Sequence, residues 1–230
     1  MVKIDKRFLI INFKNYEQGI GLNAEKLAIL VENYSKNFRK KLNLEVFIAV
    51  NPADVFRVAS KTKLKVFSVA EPLTYGRNTG FVIPEALKQN NCSGLLINHS
   101  EHKISYDGIK FLVNACKKLR MISLVCVPNV YELKKVLELT PDFIALEPPE
   151  LIEGDVSVSN AKPEIISQAV KIINSKKART ILLCGAGVKN KEDVKKALEL
   201  GTKGVLVASG LLKANNKKKE LLDLIKGFEL

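Results

Sequence analysis

The sequence has few cysteines and histidines and no long apolar segment. Its 230 residues include only four cysteines and two histidines. No two of the cysteines form a Cys-x-x-Cys pair, and the histidines complete no zinc pattern. No apolar run approaches the roughly 18 residues of a membrane-spanning helix. The N-terminal residues also lack the apolar core and cleavage site of a signal peptide. We therefore expect a cytoplasmic protein with buried free thiols and without a metal or membrane partner.

The sequence also lacks the features that separate domains. It contains no linker, no low-complexity stretch and no shift in composition along its length. A chain of 230 residues that is 47% apolar can bury a sizeable core. Single α/β barrels often have this size. We expect residues 1–230 to form a single domain.

Negative charge is scarce relative to positive charge, and the formal net charge is +13. The excess lies in short runs: Lys40-Lys41, Lys61 to Lys65, Lys117 to Arg120, Lys134-Lys135, Lys176 to Arg179 and Lys217 to Lys219. Most of these runs close a helical segment, where cations complement the negative end of the helix. In a barrel they would lie opposite the active-site mouth. We expect a solvated surface and no specific nucleic-acid partner, with polyanion binding as the alternative.

Short apolar, β-branched runs alternate with longer segments whose apolar residues recur at helical spacing. Several of the short runs are apolar almost throughout, which is typical of parallel strands covered by helices on both faces. The eight predicted strands are Phe8–Asn12, Glu45–Val50, Lys65–Val69, Gly94–Asn98, Ser123–Val127, Phe143–Glu147, Thr180–Cys184 and Gly204–Val207. Eight such units favour an α/β fold of the closed (β/α)₈ type over the alternative, an open doubly wound sheet.

The residues that follow the predicted strands carry the candidate chemistry, because active sites of such barrels form at the carboxyl ends of the strands. The sixth strand is wholly apolar and ends at Glu147, ahead of Pro148-Pro149. Desolvation at that position would make a carboxylate a stronger base and suit it to proton abstraction. A buried acid paired for structural reasons is the alternative.

Two further side chains follow strands 1 and 4. Lys14 lies two residues beyond the first strand, where it could supply a positive charge to an anionic substrate; a surface lysine is the alternative. His99 directly follows the fourth strand and, in our interpretation, opens the fourth helical segment with Ser100 as its N-cap. The positive helix end would keep this imidazole neutral. A structural role for His99 is the alternative, and His102 is expected to be structural.

Small residues follow the last two strands, in Cys184-Gly185-Ala186-Gly187 and Ala208-Ser209-Gly210. Such residues let backbone N–H groups approach an anion, and these two loops are the recurring phosphate site of the barrel. A base, an electrophile, a cation and a phosphate site together indicate proton abstraction beside a carbonyl on a small phosphorylated substrate.

The same residues carry a resemblance to the triosephosphate isomerase family, especially its short archaeal branch. The matching stretches run in order along nearly the whole chain: Asn12-Phe13-Lys14, Asn98 to His102, Asp142 to Glu153, Val158 to Glu164, Leu183 to Val188 and Gly204 to Gly210. The block Ala145 to Ile152 is the most specific of them. The family adopts the TIM barrel fold, and its glutamate base and neutral histidine electrophile are a known example of environment-tuned catalysis.

The resemblance implies interconversion of dihydroxyacetone phosphate and glyceraldehyde 3-phosphate without a cofactor or metal. Glu147 would then transfer the proton, His99 would polarise the carbonyl, and Lys14 would bind the substrate and stabilise negative charge. The other implied substrate contacts are Asn12, Ile152, Gly187, Ala208 and Ser209. Relatives in the short branch also imply a homo-oligomer, either a tetramer or a dimer.

Three segments depart from the family pattern, and one of them is Val50-Asn51-Pro52 in place of the more usual Ala-Pro-Gln. The lid segment, Pro148 to Ser157, reads Glu153-Gly154-Asp155 where the archaeal branch usually carries Gly-Thr-Gly. The third loop has Ala70-Glu71-Pro72 where Gln-His is usual, and this loop commonly serves subunit contacts. There are two alternatives to the isomerase. One is another phosphate-binding barrel enzyme, such as a sugar-phosphate epimerase or a phosphoribosyl isomerase, but these classes need a metal cluster or a different acid–base pair, which the sequence does not show. The other, suggested by the altered lid and the high charge, is an inactive barrel that acts as a basic binding module.

Overall fold

The computed structural model describes residue 2 and residues 5–148 and 157–229. In these residues, eight parallel strands pair in chain order and close into a barrel. The strands are β1 (Arg7–Asn12), β2 (Leu44–Ala49), β3 (Lys65–Ser68), β4 (Gly94–Ile97), β5 (Ile122–Val127), β6 (Phe143–Leu146), β7 (Ile181–Cys184) and β8 (Gly204–Val207). The predicted (β/α)₈ barrel is therefore confirmed, and each predicted strand boundary lies within one residue of the observed one.

Helices connect the strands and cover the outside of the barrel. Those in the described chain are α1 (Gly21–Lys41), α2 (Val55–Ala59), α3 (Pro84–Gln89), α4 (Tyr106–Leu119), α5 (Val130–Leu137), α6 (Val158–Ala161), α7 (Pro163–Ser175), α8 (Lys191–Glu199), α9 (Ser209–Leu212) and α10 (Lys217–Lys226), with 3₁₀ turns at Glu17–Gly19 and Pro52–Asp54. Among these residues, no helix combines the length and the apolar character needed to cross a bilayer.

Barrel closure depends on β1 and β8, which pair from Phe8 and Gly204 onwards. A Cβ atom at Gly204 would lie 1.9 Å from the carbonyl oxygen of Phe8, so the close approach of these two strands requires glycine. Because every strand runs in the same direction, the eight carboxyl ends meet at one rim. We call this rim the mouth of the barrel, and it is where the candidate side chains lie.

Two apolar layers hold the barrel together. The interior contains phenylalanine rings in contact with one another; the ring centroids of Phe8 and Phe143 are 4.8 Å apart and those of Phe47 and Phe67 are 5.5 Å apart. A larger apolar layer lies between the strands and the surrounding helices. All four cysteines are buried as free thiols, as the sequence predicts.

The basic runs lie mainly at helix ends, as predicted. Lys40-Lys41 closes α1, Lys117 lies in the last turn of α4, and Lys134-Lys135 lies in the last turn of α5. Lys217 to Lys219 is different, because it begins α10.

Candidate active site

Glu147 directly follows β6 at the mouth and is 6% exposed. Its backbone N–H donates to the Val127 carbonyl oxygen at 2.8 Å, which extends the sheet pairing to this residue and fixes the direction of its side chain. The Oε2 atom is buried and has no hydrogen-bond partner within the described part of the chain. A buried carboxylate oxygen without a partner is costly unless a substrate group uses it. The geometry therefore favours a chemical role over a structural pairing.

The neighbours of Glu147 leave room for its carboxylate. A Cβ atom at Gly185 would lie 2.5 Å from Glu147 Cγ and 2.8 Å from Oε1, so only a glycine permits this side-chain position. The Cys126 thiol lies against the same carboxylate. Burial first, and the Glu147 charge second, raise the pKa of this thiol well above its usual value. The thiol is therefore protonated and adds no negative charge beside the base.

His99 follows β4 and is 6% exposed. The backbone N–H of Glu101 donates to His99 Nδ1 at 3.3 Å. Since a backbone N–H can only donate, Nδ1 is the unprotonated nitrogen in this arrangement, and the ring proton lies on Nε2. The Glu101 carboxylate is 3.7 Å from Nδ1, which is too long for a hydrogen bond. The ring can thus offer an Nε2–H donor to a substrate oxygen.

The predicted N-cap at Ser100 is wrong. Helix α4 begins at Tyr106, and its N-cap is Ser105, whose Oγ accepts from Gly108 N at 3.1 Å. The Asn98 side chain explains why the helix begins later along the chain than predicted. Its Oδ1 accepts from Ile104 N, and its Nδ2 donates to the Cys126 carbonyl oxygen. These bonds hold residues 99–104 in a turn ahead of the helix. The Glu101 N–H, and not the end of a helix, is therefore the backbone donor that faces His99. His102 is likewise not in a helix; its Nε2 lies 3.1 Å from Glu71 Oε1.

Lys14 lies at the mouth with its side chain only 8% exposed, which argues against the surface-lysine alternative. Its Nζ donates to Glu101 Oε1 at 2.7 Å. Its backbone has a positive φ of 50°, and its N–H donates to Asn12 Oδ1 at 3.0 Å. Asn12 is itself buried at the end of β1. The asparagine thereby stabilises the turn that directs the ammonium group into the mouth.

A cavity of about 40 Å³ connects these side chains with the loops after β7 and β8. It is lined by Asn12, Lys14, His99, Glu147, Ala186, Gly187, Val188, Leu206, Val207, Ala208 and Ser209. The predicted site residues within the described chain thus converge on one space. The side chains of His99, Lys14 and Glu147 share this space with the small residues of the loops after β7 and β8.

A second cavity of about 280 Å³ adjoins the first and shares Asn12, Lys14 and His99 with it. Its other walls include the loops after β2 and β3, with Asn51 and Val69, and the turn after β4, with Glu101 and His102. The mouth is thus larger than the space between base and electrophile alone.

Part of the predicted site lies outside the described residues. Ile152, one of the predicted substrate contacts, and the three residues Glu153-Gly154-Asp155 belong to that part. Within the described residues, no group of three or more histidine, cysteine, aspartate or glutamate side chains is arranged to hold a metal ion. Sequence reasoning missed two features of the site: the space that Gly185 leaves for Glu147, and the pairing of Glu101 with Lys14.

Comparisons with known proteins give a consistent result. A family model described as triosephosphate isomerase matches residues 7–228. The triosephosphate isomerase of Methanothermus fervidus is 38% identical over 223 residues, which are 96% of this chain and 99% of that protein. The triosephosphate isomerase of Methanocaldococcus jannaschii is 36% identical over 219 residues, which are 95% of this chain and 98% of that protein.

The fold is similar to that of a solved structure. The crystal structure of triosephosphate isomerase from Bartonella henselae superimposes with a TM-score of 0.76 at 19% identity. The match covers 98% of this chain and 100% of that one. At this identity the likeness bears on the fold alone.

Proposed function

From the premise that this chain belongs to the triosephosphate isomerase family, we infer that it interconverts dihydroxyacetone phosphate and D-glyceraldehyde 3-phosphate. The observation that carries the inference is the arrangement at the mouth: Glu147, His99 and Lys14 line one small cavity together with the glycine loops after β7 and β8. The reaction is an isomerisation of an aldose and a ketose, and it belongs to glycolysis and gluconeogenesis.

Glu147 is proposed as the base that moves the proton. It takes a proton from the carbon beside the carbonyl group, which leaves an enediolate, and returns it to the neighbouring carbon. The burial of the carboxylate supports this role, as does its buried Oε2, which has no partner among the residues that the structure describes. A base within reach of the substrate carbon accelerates such a step roughly 100- to 10,000-fold.

His99 and Lys14 are proposed to stabilise the charge that develops on the substrate oxygens. The Nε2–H of His99 would donate to the carbonyl oxygen and then exchange the proton between the two enediolate oxygens. The Lys14 ammonium would add a fixed positive charge, and Asn12 would hold it in place. Fixed donors and charges of this kind act strongly because they need no reorganisation during the reaction.

The substrate phosphate is proposed to bind at the loops after β7 and β8. Gly187 has a φ of 69° and Ser209 begins α9, where the first N–H groups of a helix have no partner within it. Ala208 and Gly187 are small, so a phosphate can approach the backbone. Ile152 is the remaining proposed substrate contact.

A coupled assay tests the proposed function. We expect the purified protein to convert glyceraldehyde 3-phosphate to dihydroxyacetone phosphate, measured through glycerol-3-phosphate dehydrogenase and NADH oxidation. Dialysis against a chelator should leave the rate unchanged. Absence of turnover by folded protein would contradict the isomerase assignment and favour an inactive barrel that acts as a binding module.

We further propose that the chain works in the cytoplasm as a homo-oligomer, either a tetramer or a dimer. Large apolar side chains that a second copy could cover are exposed on the described surface, among them Phe56, Phe81 and Tyr131. Light scattering coupled to size-exclusion chromatography should give a multiple of the 25.5 kDa chain mass. A single species of that mass at micromolar concentration would contradict the proposal.

A further inference from the structure

A buried carboxylate outside the cavity, that of Asp193, joins three segments of the chain. Asp193 lies in the first turn of α8 and is 6% exposed. Its Oδ2 accepts from the backbone N–H of Lys189 at 3.0 Å. Its Oδ1 accepts from Ser157 Oγ and from Asn160 Nδ2, each at 2.7 Å. One carboxylate thus holds the loop after β7, the residues around α6 and the start of α8.

The loop that Asp193 holds is one wall of the cavity. Its first residue is fixed by the bond from Gly185 N to the Leu146 carbonyl oxygen at 3.1 Å. Its far end, at Lys189, is fixed by Asp193. Between these two anchors lie the three residues of the loop that line the cavity, Ala186 to Val188.

The same loop also sets the position of the loop after β8. A Cβ atom at Gly210 would lie 3.2 Å from Lys189 Cα and 3.3 Å from the Val188 carbonyl oxygen, so the two loops pack backbone to backbone. A displacement of Lys189 would therefore reach Gly210 and the neighbouring Ser209. The two parts of the proposed phosphate site are coupled through this contact.

We propose that Asp193 is a positioning residue for phosphate binding: by holding Lys189, it fixes the spacing of the loops after β7 and β8 around the substrate phosphate. The proposal rests on the phosphate site of the proposed function. It assigns Asp193 no contact with the substrate. Ser157 and Asn160 contribute by holding the carboxylate that holds Lys189.

Asp193→Asn tests this role with little change in volume. Three donors converge on the Asp193 carboxylate, and an amide offers only one oxygen to them, so at least one donor loses its acceptor. We expect the KM for glyceraldehyde 3-phosphate and the inhibition constant of inorganic phosphate to rise together by about tenfold. The kcat should change less than about threefold, because the phosphate contacts are shared by the ground state and the transition state.

Thr202→Val is the matched control. Thr202 is buried at the other end of α8, where its Oγ1 donates to the Ala197 carbonyl oxygen at 2.8 Å. Its loss should lower the melting temperature without a change in KM or phosphate inhibition. Ser157→Ala removes one of the donors to Asp193 and should give a smaller rise of both constants, which covers the case in which Asp193→Asn does not fold.

Three results would overturn the proposal. One is a lower melting temperature for Asp193→Asn and Ser157→Ala with KM and phosphate inhibition unchanged. Another is the same rise of KM in Thr202→Val. The third is a wild-type protein that binds no inorganic phosphate in a calorimetric titration. If the wild type binds phosphate but does not isomerise glyceraldehyde 3-phosphate, the proposed function fails, and weaker phosphate binding by Asp193→Asn would still support the positioning role.

Discussion

Replacing Glu147 by glutamine is expected to lower kcat roughly 100- to 10,000-fold, the usual contribution of a positioned base. Glutamine keeps the volume of the side chain and its packing over Gly185, but it cannot accept the substrate proton. The KM should change by only a few-fold, because the proposed phosphate-binding loops and the Lys14 ammonium remain in place. The steady-state assay with glyceraldehyde 3-phosphate gives both constants. NMR in D₂O should show loss of deuterium uptake into the substrate to the same extent.

Glu147→Asp tests whether the position of the carboxylate matters, because this variant keeps the base but moves it. The shorter side chain keeps the charge but withdraws the carboxylate, and it should lower kcat far more than it changes substrate binding. Equal loss of kcat and of binding in this variant would indicate a structural role for Glu147.

Glu85→Gln provides the matched control for both variants. Glu85 also has a buried Oε2 without a partner in the described chain, and its Oε1 accepts from Thr74 Oγ1 at 2.7 Å. It does not line either cavity at the mouth. The same substitution there should leave kcat unchanged. A comparable loss in Glu85→Gln would mean that the effect at position 147 is a general consequence of altering a glutamate with a buried carboxylate oxygen.

The position of Glu147 could be predicted from the sequence because local rules determine it. An apolar run that is buried on both faces predicts a parallel strand, and a polar residue at its end predicts a place on the rim. The same reasoning placed Asn12, His99 and the two glycine loops correctly. The direction of the Lys14 side chain could not be predicted from the strand pattern alone. It depends on a positive φ and on the bond from the Lys14 N–H to Asn12 Oδ1.

The N-cap of α4 could not be assigned from the sequence, because two serines precede this helix. Ser100 and Ser105 are both acceptable to the capping rule, and the outcome depends on the bond from Asn98 to the Cys126 carbonyl oxygen on the next strand. The bond between Lys14 and Glu101 spans 87 positions along the chain. Contacts of this kind exist only once the barrel closes, and one sequence contains no signal for them.

Lys14→Met is expected to lower kcat/KM roughly 100- to 1,000-fold, the usual cost of removing one group that stabilises developing negative charge. Methionine fills much of the same space, so the buried position tolerates it sterically. Both kcat and KM should be affected, because the ammonium would contact the bound substrate and the charged intermediate. The coupled assay at low and moderate ionic strength measures this loss.

The control must distinguish direct contact between Lys14 and the substrate from the mere loss of one positive charge. Lys213→Met does so. Lys213 follows α9, and its Nζ lies 5.0 Å from the centroid of the Tyr16 ring, against 5.9 Å for Lys14 Nζ. It does not line the cavity. Removing its charge should weaken only the long-range attraction of the anionic substrate. Salt at 0.1 M screens this attraction, because exposed charges farther apart than about 10 Å then hardly interact. The loss in Lys14→Met should persist in salt, because the site is buried. Equal, salt-sensitive losses in the two variants would mean that Lys14 acts through its charge at a distance and not as part of the catalytic site.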